Sequence, residues 1–169
     1  ECIAAVLNRL VRNPAEPVDR ERLDAFVSRK AAEMHRGKRY AEIHYGERTG
    51  VVPEDIAAPA RQAIASLISS DRFRWLVEQA SHPGGEWVVD TEGYGETRVD
   101  GLKAYCKVDF LIPADGKLHI LDWKTGKERE EKHAVQLRGY AAWASHRFGV
   151  PAERIVPVVA YLLPEYREV

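Results

Sequence analysis

The sequence predicts an α/β fold, a mixed sheet covered by helices. Apolar residues recur at three-to-four spacing through the first half of the chain. The period falls to two after residue 85 and returns to helical spacing near residue 132. Between two hydrophobic runs stands Asp115-Gly116, a strong two-residue hairpin signal.

Taken in order, residues 1–12 read as the end of a helix. Asp19 stands as N-cap of a second helix carrying Leu23, Phe26, Val27, Ala31 and Met34 inward, with the pattern running on through His44 to Gly46. Pro53 opens a third with Ile56, Ala60, Ile64, Leu67 and Ile68 inward. Asp71 is placed to cap a fourth, which ends at the turn His82-Pro83-Gly84-Gly85. Residues 86–91, 95–112 and 117–124 then read as strands, joined by turns at Gly93 and at Asp115-Gly116. Lys132 to Phe148 predicts a helix with Leu137, Ala141, Ala144, Ser145 and Phe148 on one face, stopped by Gly149 and Pro151. A last apolar strand covers 155–163, with Pro157 placing part of it at an edge.

The chain has 169 residues, of which 45% are hydrophobic and 30% charged, enough to bury a core and too apolar for a disordered tail. One domain over 1–169 is expected, mainly helical in 1–85 and sheet-bearing in 86–169. No basic n-region with an apolar h-region is visible, and the first residue is Glu1, so the expectation is a piece of a larger protein. Cys2 and Cys106 are too few for a disulfide framework or a four-cysteine metal site, and two reduced thiols in a cytoplasmic protein are expected. With 25 basic and 26 acidic residues the net charge is −1, which argues against a non-specific nucleic-acid coat; any DNA contact must be a local patch.

If Asp115 and Gly116 form the hairpin loop, Asp109 faces Asp122, Lys107 faces Lys124 and Leu111 faces Ile120. Strand alternation puts these six on one face and Val108, Phe110, Ile112, Leu121 and Trp123 on the other, a core. Paired residues have Cβ atoms about 4.5–5.5 Å apart, so two carboxylates there repel by about 3 kcal/mol at an effective dielectric of 20. A divalent cation relieves this; so would ion pairs to the two lysines.

Three motifs resemble the PD-(D/E)XK nuclease superfamily and, more closely, its RecB-type branch: Val108-Asp109, Leu121-Asp122-Trp123-Lys124-Thr125-Gly126, and Gln136-Leu137-Arg138-Gly139-Tyr140. The resemblance covers 86–163 well and the first half loosely. It implies a restriction-endonuclease-like mixed sheet flanked by helices, with a helical N-terminal half, and a DNA nuclease using Mg²⁺ or Mn²⁺. An exonuclease-type module of a helicase–nuclease or repair protein is the leading reading; a catalytically unused module binding DNA or protein is the alternative. Asp109 and Asp122 would hold the metal with the Trp123 carbonyl. Lys124 would orient the attacking water, and Gln136 and Tyr140 would border the site. The resemblance also implies an upstream metal-binding histidine. His44 is the best match, although the glycine usual four residues earlier is replaced by Tyr40, and His35 competes with it. Glu86 matches a frequent acid of the first strand.

The remaining candidates read as structural. His119 is expected as a hydrogen-bonded core histidine, and His82, His133 and His146 as turn or surface residues. Lys127, Arg129, Lys132 and Arg138 are candidates for phosphate contact, interrupted by Glu128, Glu130 and Glu131. Trp75, Trp87 and Trp143 read as core, and Gly139 predicts close helix-to-sheet packing.

Overall fold

A computed structural model describes residues 1–16, 18–36, 40–46, 50–82, 86–89 and 95–169. The expected turns at 83–85 and Gly93 fall outside these residues. The helices are α1 (Cys2–Arg12), α2 (Arg20–His35), α3 (Ala41–His44), α4 (Pro53–Ile68), α5 (Asp71–Ala80) and α6 (Glu130–Phe148). The strands are β1 (Val88–Val89), β2 (Gly95–Val99), β3 (Leu102–Cys106), β4 (Phe110–Ala114), β5 (Lys117–Lys124), β6 (Ile155–Tyr161) and β7 (Arg167–Glu168).

The main sheet has the order β1-β4-β5-β6-β7, and β2 pairs with β3 in a separate hairpin. Asp115-Gly116 turns β4 into β5 with both residues at positive φ, and Leu111 pairs with Ile120 as the turn dictates. β5 and β6 are parallel, so α6 must cross over the sheet between them. Because β5 alternates, Leu118 and Ile120 pack against Tyr140, Trp143 and Ala144 of α6. Leu121 joins Phe110 and Ile112 against α1, α2, α4 and α5 on the opposite face. The result is the expected mixed sheet between helical layers.

Local chemistry explains the helix limits. Asp19 caps α2 by accepting from the Arg22 N–H at 3.0 Å, as expected. Ser70, not Asp71, caps α5: its hydroxyl accepts from Phe73 N at 3.1 Å and donates to Leu67 O at 2.6 Å, tying the end of α4 to the start of α5. α2 does not continue to Gly46; Arg36 is extended (φ −64°, ψ 124°), and α3 is a separate four-residue helix. Arg61 of α4 holds α2, donating to Ser28 at 2.8 Å and pairing with Asp24. Gly149 stops α6 at φ 66°.

Several sheet expectations change. The run 95–112 is three strands, because Asp100-Gly101 makes a second positive-φ turn (49° and 80°) and the chain bends at Asp109. That bend breaks the alternation. Val108 packs with Leu111 and Ile120 on the α6 side, while Phe110 faces the N-terminal helices. Gly139 has open space where a Cβ would stand, so no close approach requires it; the glycine that does allow one is Gly95, whose Cβ would lie 2.5 Å from Trp143. Pro157 pairs with Ile120 on one side, and β7 reaches only Ala160 and Tyr161 on the other, so Pro157 sits at an open edge as expected.

Candidate active site

The site grows from the end of β5. Asp122 follows Ile120 on the face toward α6 and is 3% exposed. A buried carboxylate must be satisfied, and α6 supplies the donors. Tyr140 Oη donates to Asp122 Oδ1 at 2.9 Å, and Gln136 Nε2 donates to the same oxygen at 3.2 Å and to Tyr140 Oη at 2.7 Å. Gln136 and Tyr140 stand one helical turn apart, so a single face presents both. Asp122 Oδ2 accepts no hydrogen bond and is buried; the Lys124 ammonium, two residues along the same strand face, forms an ion pair with it.

Tyr140 therefore lies on the face of α6 that meets the sheet, within the core cluster. Burial first, then the Asp122 charge, pushes its phenol well above the usual range. The same two causes push the Cys106 thiol up to about 11, which disfavours the thiolate form. Both cysteines are free thiols.

Asp109 sits at the bend where β4 has yet to begin, and its Oδ2 accepts the Trp123 N–H at 2.9 Å. The side chain thus replaces the strand partner that β5 lacks at its end. Successive residues of a strand point their peptide groups to opposite sides. The Lys124 carbonyl is taken by Leu162 N on the β6 side at 2.8 Å, so the Trp123 carbonyl points to the Asp109 side. The Trp123 ring packs against the N-terminal helical core.

His133, expected at the surface, is buried, and its Nδ1 is hydrogen-bonded to Tyr161 Oη. Tyr161 is the β6 residue paired in register with Lys124. His133 lies three and seven residues before Gln136 and Tyr140, so the helical period held the signal for a common face. His119 is a core histidine as expected, its ring 5.0 Å from Trp75 and both ring nitrogens buried, with the Ala114 backbone near enough to interact. Trp143 is buried, and Trp75 and Trp87 pack on the core. Lys127, Arg129, Lys132 and Arg138 are exposed.

The upstream histidines have local aromatic partners. His44 in α3 is exposed and meets Tyr45 edge-on, and His35 stacks on Tyr40 at 5.7 Å with its Nδ1 3.3 Å from the Tyr40 hydroxyl. Glu86 is exposed, two residues before β1. Among the described residues no three His, Cys, Asp or Glu side chains gather at ligating distance. Asp122 Oδ2, whose partner here is the Lys124 ammonium, the Asp109 carboxylate and the Trp123 carbonyl are all hard oxygen donors. Such a sparse set fits a cation that keeps waters and takes its other ligands from substrate phosphate, as Mg²⁺ does.

A family model of the PD-(D/E)XK nuclease superfamily matches residues 3–166, and the chain belongs to that superfamily. No curated protein matches the chain. Among solved structures it is similar to protein VC1899 from Vibrio cholerae (10% identity, TM-score 0.42, over 97% of this chain) and to SSO0001 (19% identity, TM-score 0.36, over 86%). The chain spans 47% of the first of these and 75% of the second. Among the described residues no helix is long and apolar enough to cross a membrane.

Proposed function

We propose that this domain is a divalent-metal-dependent DNA nuclease of the RecB type. The observation that carries the reading is the convergence of motif residues on one carboxylate: Gln136 and Tyr140 on Asp122 Oδ1, and Lys124 on Oδ2. An ordinary charged strand face explains Lys124 but gives no reason for a buried aspartate held by two α6 side chains.

Asp109, Asp122 and the Trp123 carbonyl hold Mg²⁺ or Mn²⁺ in this reading, with His44 as the upstream ligand. The cation supplies Lewis-acid polarisation of the scissile phosphate and a lowered pKa for the attacking water. Tyr140 and Gln136 fix the Asp122 carboxylate so that only Oδ2 faces the reaction. Lys124 offers a fixed cation to the attacking water and to the charge that grows on the phosphate oxygens. The near-neutral net charge of −1 suits a module to which a partner domain, such as a helicase, delivers DNA. Exonuclease action in repair or recombination is the role this reading assigns to the domain.

The test is the loss of end-labelled linear DNA with Mg²⁺ or Mn²⁺, with chelator as control. The expected result is metal-dependent cleavage that Asp122→Asn abolishes. Intact DNA at every metal concentration would leave the fold as an unused binding module.

A further inference from the structure

Gln136 and Tyr140 of α6 fix the Asp122 carboxylate, and the same helix carries a further buried polar group toward the sheet, His133. Its Nδ1 is hydrogen-bonded to Tyr161 Oη, with the ring centroids 5.5 Å apart. Tyr161 is 2% exposed and is the register partner of Lys124 across the parallel β5–β6 ladder. Partners in a ladder point to the same face of the sheet, on strands about 4.8 Å apart, so the Tyr161 ring stands beside the Lys124 stem. The Arg167 guanidinium also lies over that ring, 5.8 Å from its centroid. The ring is therefore held both from α6 and from β7.

A buried hydrogen-bonded pair adds little stability over an apolar pair of the same shape. The place of this one gives it a use. A lysine carries a point charge on a long flexible stem, and such a charge serves a reaction only where it is held. Asp122 Oδ2 draws the ammonium along β5. A fixed ring at the register position on β6 closes off the conformations in which the stem swings across the sheet, away from Asp122.

We infer that the His133–Tyr161 pair positions Lys124, so that α6 sets both halves of the β5 motif. It sets the carboxylate through Gln136 and Tyr140, and the lysine through His133 and the Tyr161 ring. The consequence for cleavage rests on the nuclease reading above, whereas the holding of Lys124 does not.

The test uses the full chain and two readouts. Without metal, acetylation of Lys124 by an N-hydroxysuccinimide ester is read by peptide mass spectrometry against the exposed Lys117. His133→Leu and Tyr161→Phe should keep the wild-type near-ultraviolet circular dichroism and speed Lys124 acetylation at least about threefold, because the freed stem leaves Asp122. His133→Asn, whose amide reaches the place of Nδ1, should restore the slow rate. With Mg²⁺ and end-labelled linear DNA, His133→Leu and Tyr161→Phe should lose about ten- to a hundredfold in kcat at the wild-type KM, the scale of a misplaced catalytic group. In a Lys124→Ala background His133→Leu should cost nothing further, since the lysine it acts through is gone. Wild-type acetylation rates in both variants overturn the positioning and leave the nuclease reading standing. An equal further loss of kcat in the Lys124→Ala background overturns it too, because the pair then acts elsewhere. If the wild type cuts no DNA, the nuclease reading fails, and the acetylation rates decide whether the pair holds the lysine.

Discussion

Lys124 and Lys107 carry the same charge at the same hairpin and separate the two accounts of the site. Lys124 pairs with a buried carboxylate held by α6, whereas Lys107 precedes the bend at Asp109. Lys124→Ala is expected to keep the fold and lose at least about a hundredfold in cleavage rate, the scale of removing one transition-state stabiliser. Lys107→Ala should cleave near the wild-type rate; equal rates for the two would show that the lysines only balance charge. The metal reading has its own test. Mg²⁺ or Mn²⁺ at about a hundred times its Kd should raise the melting temperature by about 5–10 °C, and Asp122→Asn should remove most of that gain. At the other oxygen, Tyr140→Phe leaves Gln136 as the remaining α6 donor to Oδ1. A loss of about 1.5–3 kcal/mol is expected in urea melts, the usual size for a hydrogen bond to a charged group.

β5 is the element that divides the molecule, because its two faces carry different chemistry. Leu118, Ile120, Asp122 and Lys124 follow one another toward α6, and His119, Leu121 and Trp123 face the N-terminal helices. His119 is the weak point of the second face. Burial first, and then the Arg72 guanidinium and Lys117, lower its imidazole below the ordinary 6.5, against opposing pulls from Asp115 and the Ala114 backbone. A histidine whose folded pKa is depressed stabilises the fold above its unfolded value and loses that contribution as pH falls from 6.5 through the lower folded value. Melting temperature measured from about pH 8 to about pH 5 should therefore fall more steeply below 6.5 for wild type than for His119→Phe. Parallel curves across that window would show that His119 carries no such burden. The neighbouring Arg72–Glu168 pair titrates in a different window. Although burial raises the Glu168 carboxyl, its bonds to Arg72 at 2.6 and 2.7 Å hold it below 4.5, so its contribution disappears only at more acid pH.

At the scale of the whole molecule, both helical layers bury their cores on one sheet, and consecutive residues of β5 serve opposite layers. Ile120 and Leu121 are each fully buried, the first in the α6 core and the second in the core of the N-terminal helices. Truncating either to alanine should cost about 2–5 kcal/mol. If the helical half and the sheet fold as one domain, both variants will unfold in a single urea transition with the wild-type slope, by fluorescence and by circular dichroism alike. Two transitions in Leu121→Ala would show that the N-terminal helices unfold separately.

The β4–β5 turn, the opposition of Leu111 to Ile120, the N-cap of α2 and the C-cap of α6 were legible in the sequence, because turn chemistry and strand period are local properties; the expected pairs Asp109–Asp122 and Lys107–Lys124 fall outside the ladder, which ends at Phe110–Leu121. The motif residues Asp122, Lys124, Gln136 and Tyr140 were legible as a set, and the fold brings those four together. Local pattern did not show the bend at Asp109, which moves Val108 to the α6 side and gives Asp109 the Trp123 N–H. It placed Leu137, Ala141 and Ala144 of α6 against the sheet, where they pack, but not the polar residues that join them. An apolar count put Phe148 inward, yet Phe148 is 44% exposed, and the polar His133 and Gln136 turn inward instead. Those polar groups tolerate the inner face because Asp122 and Tyr161, 14 and 28 residues away along the chain, satisfy their hydrogen bonds. Sequence alone determined most of the helices and the β4–β5 hairpin. Tertiary structure decided which groups are buried together, because the cost of burying a polar atom is set by partners that no local window contains.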